Sequence, residues 1–472
     1  MEAEGASLIT DNVGIDMIRN RRCENNDFTA DGRRGKYGER ASHGFRRMRR
    51  LAVSLTAMIM MFVSCADAGS GGAAVTDAAA EETSATEIAA ETAGTADQTE
   101  ETGTGPAREE THAADTAAVP DGVRKDIFGV WMWPDSVSEK GADEVFDECA
   151  AMGVTDVYFL TKGLRGTVAF LTLLATAMER GRDLLLEAVE AAHARGIRLH
   201  AWLTSASDES YKSAHPESGV YHYKRKRDSD VISMTDGGYI EYMKAVISDL
   251  AGRYDIDGIH LDYIRYSHVT YGWSEEDYRD LAGRGADTEH LKSLIDKTYY
   301  GQSPDGDAVF RAYRSGDKDV LILAQKRRGD VSGFASALAE AARAERPEIE
   351  LSAALMPEGG GSDISYPDLH YGQNYADLSA IFDVLMPMAY SRDYGADEKW
   401  VGGITEGAVR CGKAVVTGVQ AYEGGTVDSV KRDTKAALDA GADGVCLFRY
   451  GTDLWKKLLR VRLSEMKEEN HG

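Results

Sequence analysis

The chain is poor in cysteine and lacks the short motifs of the commonest reactive centres. Five cysteines occur in 472 residues: Cys23, Cys65, Cys149, Cys411 and Cys446. None forms a CxxC pair, and no His/Cys spacing suits zinc. Three scattered cysteines follow Cys65, an odd number for a disulfide framework. Free, buried thiols are expected, with room for one pair among them. No GxSxG elbow, HExxH helix or P-loop is present, so a serine-esterase, zincin or nucleotide-triphosphate site is not expected. No G-x-G-x-x-G follows the first apolar strand, which argues against a dinucleotide fold. Positive charge is also short. The chain holds 54 Lys+Arg against 78 Asp+Glu, for a net charge of -24. Up to Cys65 the count is 11 against 8; the rest therefore carries 43 against 70, or -27. A surface that acidic repels phosphate backbones, so nucleic acid is excluded as a partner.

A single uncharged apolar run stands out near the start, Leu51 to Val63, behind Arg49 and Arg50. It has the length of a signal-peptide core and is too short for a comfortable membrane span. Cys65 follows Phe62-Val63-Ser64 and resembles the cysteine of a bacterial lipoprotein box. Cleavage after Ala66-Asp67-Ala68 is the rival reading, and Met48 is an alternative start. Residues 1–65 are thus read as an N-terminal extension and lipoprotein-type signal peptide. Residues 66–122 are Ala, Thr, Glu, Gly and Asp with almost no large apolar side chain. Such a stretch cannot offset its ordering entropy by burial and should be a disordered linker. Extended, it spans over a hundred ångström at roughly 3.3 Å per residue. The expected location is outside the cell, lipid-anchored through Cys65 to a bacterial envelope.

From residue 123 to the end, short apolar strands alternate with helical stretches. Strands are expected at 128–134, 154–161, 197–205, 256–266, 349–358, 382–390, 414–422 and 441–451. Helices are expected at 139–152, 183–195, 239–254 and 329–345. Eight strands alternating with helices predict an α/β fold, a TIM (β/α)8 barrel. Active sites of such barrels lie at the C-terminal ends of the strands. Residue parity then selects candidates. In the fourth strand Ile259, Leu261 and Tyr263 face the helices, which turns His260 and Asp262 inward, with Arg265 as a partner for the acid. In the fifth, Ile349, Leu351, Ala353 and Leu355 face out, which leaves Glu358 at the upper rim before three glycines. His200 and Trp202 share the inward parity of the third. Strand ends six to eight bring Tyr390, Asp393, Gln420, Tyr422 and Arg449 to the mouth. Paired acids suit glycoside hydrolysis, in which one protonates the leaving oxygen and the other attacks or activates water. Aromatic and amide side chains suit a polyhydroxylated ligand. His200 and His260 lack a third metal ligand, so neither a metal nor another cofactor is expected.

Four segments then resemble one family: YDIDGIHLDYIRY (254–266), HYGQNYADLSAIFDVLMPMAY (370–390), GVQAY (418–422) and GVCLFRYG (444–451). They are similar to the family 10-like glycosyl hydrolases of bacteria, many of them envelope lipoproteins. The resemblance covers roughly 128–460. It implies a TIM barrel, glycosidic-bond hydrolysis and a polysaccharide or peptidoglycan glycan as substrate, and it adds Gln373 to the binding set. The DGIHLD stretch also resembles the fourth-strand motif of α-amylase-type barrels, which implies Asp262 as nucleophile and Glu358 as general acid. A catalytically inactive glycan-binding lipoprotein is the alternative, and a metal-dependent deacetylase a third. The family often has a polar loop after strand two. Here that loop, 164–183, is unusually apolar, so it either reshapes the cleft or covers a partner or lipid surface. The charged stretch Ser267 to about Arg328 is expected to be a lid or flexible insert.

Overall fold

In the wall of a parallel barrel both faces of a strand are covered, one by the interior and one by helices, so its residues read as near-continuous apolar runs. The computed structural model describes residues 124–224 and 227–469. The segments expected as signal peptide and linker, with Cys65, lie outside the described residues. The first three strands are β1 (Ile127–Met132), β2 (Asp156–Lys162) and β3 (Arg198–Thr204). A small antiparallel pair follows, β4 (Gly219–Tyr221) and β5 (Arg227–Ile232). The remaining strands are β6 (Gly258–Asp262), β7 (Glu350–Leu355), β8 (Val384–Pro387), β9 (Ala414–Gln420) and β10 (Gly444–Phe448). Eight of them close into one barrel in the order β1-β10-β9-β8-β7-β6-β3-β2. All eight barrel pairings are parallel, and closure is made by Ile127 opposite Gly444 and Gly129 opposite Asp156. The expected TIM barrel is therefore present, with strands shorter at their ends than the apolar runs predict.

The longer helices are α1 (Ala142–Met152), α2 (Leu184–His193), α3 (Gly237–Arg253), α4 (Glu275–Gly283), α5 (Thr288–Tyr299), α6 (Ala308–Arg314), α7 (Lys318–Glu345), α8 (Glu398–Val409), α9 (Val427–Asp439) and α10 (Asp453–Glu469). Several start on side-chain caps: Asp183 accepts from Leu186 N, Asp236 from Tyr239 N, and Thr426 completes a capping box with Ser429. Each cap satisfies an N–H that the first helical turn leaves open. The stretch expected as one helix from Glu139 is broken at Gly141, whose φ of 87° favours glycine. Strands and helices share one large core that includes Val130, Val157, Leu199, Ile259, Leu351 and Val415. Cys149, Cys411 and Cys446 are free thiols; Cys411 is only half-buried.

The segment after β6 departs from the expectation. Instead of a lid it forms α4, α5, α6 and the first turns of α7. These helices own a separate apolar cluster: Val269, Trp273, Leu281, Leu291, Ile295, Val309 and Leu323 among others. Charged outer faces disguise the buried stripes of these amphipathic helices. Arg327 ties the cluster to the barrel. Its guanidinium donates to Tyr271 O, His268 O and His370 O at 2.6–2.9 Å and lies 3.8 Å from the centre of the Tyr266 ring.

Candidate active site

The barrel interior is filled in layers, and each layer has its own polarity. At the N-terminal end His200 Nε2 lies 3.0 Å from Asp156 Oδ1, and its ring stacks on Tyr158 at 4.6 Å. Arg124 and Arg198 flank the same aspartate. Two hydrogen bonds, from His200 and from Arg124, hold Asp156 below the usual carboxylate range against the cost of burial. His200 is therefore placed at the floor, away from the rim. One layer up, Trp131 Nε1 donates to His260 Nε2 at 3.1 Å, and His260 Nδ1 pairs with Ser352 Oγ at 2.9 Å. The indole can only donate, so Nε2 accepts and Nδ1 carries the proton. Burial holds the ring far below its ordinary pKa, and it is neutral. With both nitrogens engaged, His260 has no lone pair to offer a metal.

Above these lies the acid layer. Asp262 ends β6 and is nearly buried. Its Oδ2 accepts from Trp202 Nε1 at 3.2 Å, and its Oδ1 from Tyr263 N at 2.7 Å and Arg265 Nη1 at 3.3 Å. Burial raises its pKa; Arg265, the Tyr263 N–H and Trp202 oppose the rise. Tyr263, which gives this N–H, sits at φ 58°. A tyrosine in that left-handed region costs energy, and such strain clusters at functional sites. Trp202 thus holds the acid by its edge instead of lying open for stacking.

Glu358 stands on the single 3-10 turn Pro357–Gly360 that follows β7. Burial pushes its carboxyl up to about 7, while Tyr394, Arg265 and Tyr371 pull the other way. Tyr394 Oη donates to Oε1 at 3.2 Å. Arg265 therefore acts on both acids: it hydrogen-bonds Asp262, and its charge reaches Glu358. The neighbouring glycines make room for protein. A Cβ on Gly360 would meet Ile404 O at 2.3 Å, and one on Gly359 would meet the Tyr375 ring at 2.2 Å. They let the turn press onto α8 and Tyr375.

The sixth to eighth strand ends complete the rim. Asp393 is raised by burial, against hydrogen bonds from Tyr422 Oη and Gln420 Nε2. Gln420 also accepts from Arg392 N and Asp393 N, so it braces the loop. Tyr390 feels the charges of both Asp262 and Asp393 and packs on Tyr422 and Phe448. Its buried hydroxyl has no partner among the described residues. Arg449 lies 3.3 Å from the centre of the Trp133 ring. Gln373 is not at the mouth: its oxygen accepts from Met356 N at 2.9 Å and its nitrogen donates to Ile264 O at 3.2 Å. It staples the ends of β6 and β7, the two strands that carry the acids.

The structure thus brings together Asp262, Trp202, Arg265, Glu358, Tyr390, Asp393, Gln420 and Tyr422, and sets His200, His260 and Gln373 below or behind them. Sequence reasoning missed Tyr263, Tyr371 and Tyr394. Tyr394 follows Asp393 directly, but its reach to Glu358 depends on a loop fold that strand parity does not describe. A second recess of about 370 Å³, between the β4–β5 pair and α4, is lined by Glu217, Asp236, Trp273, Glu276 and Asp277, with none of the candidate acids.

Fold and rim together define a TIM barrel with paired acids at its mouth. Residues 172–399 match the family model described as Glycosyl hydrolase-like 10, which bears out the likeness read from the motifs. That match takes in the motifs at 254–266 and 370–390. Among solved structures, the glycoside hydrolase domain of PgaB (BpsB) from Bordetella bronchiseptica is similar at 15% identity and a TM-score of 0.55, over 72% of this chain and 98% of that one. The catalytic domain of β-amylase from Paenibacillus polymyxa is similar at 10% identity and 0.52, over 69% and 92%. A β-galactosidase from Marinomonas ef1 is similar at 12% identity and 0.52, over 71% and 59%. At such identities the likeness is one of fold. None of the curated proteins matches the chain by sequence.

Proposed function

We propose that the protein is a glycoside hydrolase acting on a bacterial envelope glycan or another polysaccharide, exported and held to the envelope by lipid on Cys65. Glu358 is the general acid, and Asp262 is the nucleophile or the base that activates water. One observation carries the reading: a half-buried glutamate with an enclosed carboxyl oxygen and a pKa pushed up to about 7 shares an arginine with a buried second acid at the barrel mouth. A carboxyl that titrates near 7 holds its proton for a leaving oxygen at neutral pH, whereas an exposed glutamate has already lost it. Asp262 receives three donors, which favour its charged form against the burial that raises its pKa.

The test is incubation with peptidoglycan glycans, intact and peptide-stripped, and with α-glucans, read by mass spectrometry. Wild type should release fragments, and Asp262→Asn should release none while its circular dichroism stays native. A D262N protein that cleaves at the normal rate removes Asp262 from the mechanism. Glycan binding by calorimetry with no new reducing ends turns the reading to a binding protein. The anchor is tested separately, by the mass of the N-terminal peptide from membrane-extracted protein.

A further inference from the structure

Helix α9 turns a carboxylate inward where a hydrocarbon is expected. Its buried stripe runs Val430, Asp433 and Ala437, at the i, i+3, i+7 spacing of an amphipathic helix. Asp433 is only 1% exposed. A carboxylate in such a place is costly unless other groups hold it. One close hydrogen bond does so: Ser391 Oγ donates to Asp433 Oδ2 at 2.6 Å. Asp433 Oδ1 has no hydrogen-bond partner among the described residues. Burial raises the pKa of this acid; Ser391, Arg392 and Arg432 pull it down, and Glu398 adds to the rise.

The partner explains the acid. Ser391 is fully buried and opens the turn 391–395 after β8. That turn carries Asp393 to Tyr422 and Tyr394 to Glu358. On the barrel side Gln420 accepts from Arg392 N and Asp393 N. Within the turn, Tyr390 O accepts from Asp393 N at 3.1 Å, and Ser391 O from Ala396 N at 2.8 Å. On the helix side Ser391 is tied to Asp433. The turn is thus clamped between β9 and α9, and Tyr394 leaves it three residues beyond Ser391. The Tyr394 hydroxyl meets Glu358 Oε1 at 3.2 Å, long for an O–H donor, so a small shift of the turn breaks the contact. We propose that Asp433 is a positioning residue for the acid: by holding Ser391 it fixes the turn where Tyr394 donates to Glu358. The proposal deepens the reading of Glu358 as general acid and rests on it for its consequence in turnover.

The test reads the Glu358 carboxyl directly and needs no substrate, so it stands apart from the test of hydrolysis. The full chain is labelled with carbon-13 at its glutamate carboxyls, and the resonances are followed from pH 4 to 10. The Glu358 signal is the one absent from E358Q. The groups that act on this carboxyl include Arg265, Tyr366, Tyr371, Tyr375 and Tyr394. Wild type should titrate at about 7. Asp433→Ala releases the turn and removes a donor to the ionised carboxylate, so the Glu358 pKa should rise by about one unit. Tyr394→Phe should give the same rise, and the double variant no more than either single one. The sign separates position from charge: removing a negative Asp433 without moving the turn lowers the Glu358 pKa. Asp433→Asn keeps an acceptor for Ser391 and should titrate as wild type. Ser391→Ala deletes one oxygen and should repeat the D433A shift, so the result does not depend on D433A folding. An unchanged or lowered Glu358 pKa in S391A and D433A overturns the proposal, and so do shifts that add in the double variant. A wild-type protein that cleaves no glycan removes the task of the acid and leaves this titration as it is.

Discussion

Replacing Glu358 with Gln should make the protein more stable at alkaline pH and leave stability unchanged in acid. The wild-type carboxyl titrates at about 7 when folded, against 4.5 when exposed. A carboxyl whose folded pKa is raised contributes stability below the unfolded value and loses it as pH rises through the folded one. The window therefore runs from pH 4.5 to 7. A shift of that size is worth about 3 kcal/mol at 1.36 kcal/mol per unit. Glutamine keeps the shape and the acceptor for Tyr394 but never charges. E358Q and wild type should therefore unfold alike near pH 4, and by pH 8 the variant should lead by about 3 kcal/mol. For a domain of this length the difference is a Tm rise of roughly 4 °C. Thermal or urea unfolding followed by circular dichroism at pH 4, 6 and 8 measures it. Catalysis should fall at least a hundredfold in the same variant, on the scale of a lost general acid. An E358Q protein that is less stable at pH 8, or whose advantage does not depend on pH, refutes the claim that a buried, proton-holding acid sits here.

Tyr394→Phe removes a donor to the ionised carboxylate, so the Glu358 pKa should rise by about one unit and the alkaline limb of the pH–kcat profile should move up with it. A limb that stays in place would detach Tyr394 from the acid. Gly407→Ala would bring a Cβ within 1.8 Å of Gly360 O, so it should displace the turn beneath Glu358 and lower both Tm and turnover; unchanged kinetics would show that the turn tolerates the shift. Lys162 is buried against Asp208 at 3.0 Å beneath the rim loops. Lys162→Met strands that carboxylate and should cost about 3–5 kcal/mol in urea unfolding, whereas a loss under 1 kcal/mol would mean the pair is wetter than it is drawn.

The barrel was legible because its strands are covered on both sides and therefore apolar throughout, and because parity along β6 turns Asp262 inward whatever surrounds it. The same parity put His200 and His260 inside but did not give their height, which depends on strand stagger around the barrel. Gln373 was legible as a motif residue and illegible as a staple, since its partners, Ile264 and Met356, meet only in three dimensions. The α4–α6 region read as a charged loop because its helices expose most of their surface, and its apolar stripes find each other instead of the barrel. The raised pKa of Glu358 could not be read from its neighbours in sequence: it comes from burial, in a turn that glycines allow to press onto α8 and Tyr375.

The pairing of β1 with β10 has a kinetic consequence. Ile127 and Gly444 lie opposite each other although more than three hundred residues separate them in sequence. Contacts of such separation form late, because the loop they close is long and its entropy must be overcome first. Until β10 is made, β1 and β9 stand as open edges of an incomplete sheet. Closing the β1–β10 seam removes both edges at once and leaves no barrel strand open to pairing with another chain.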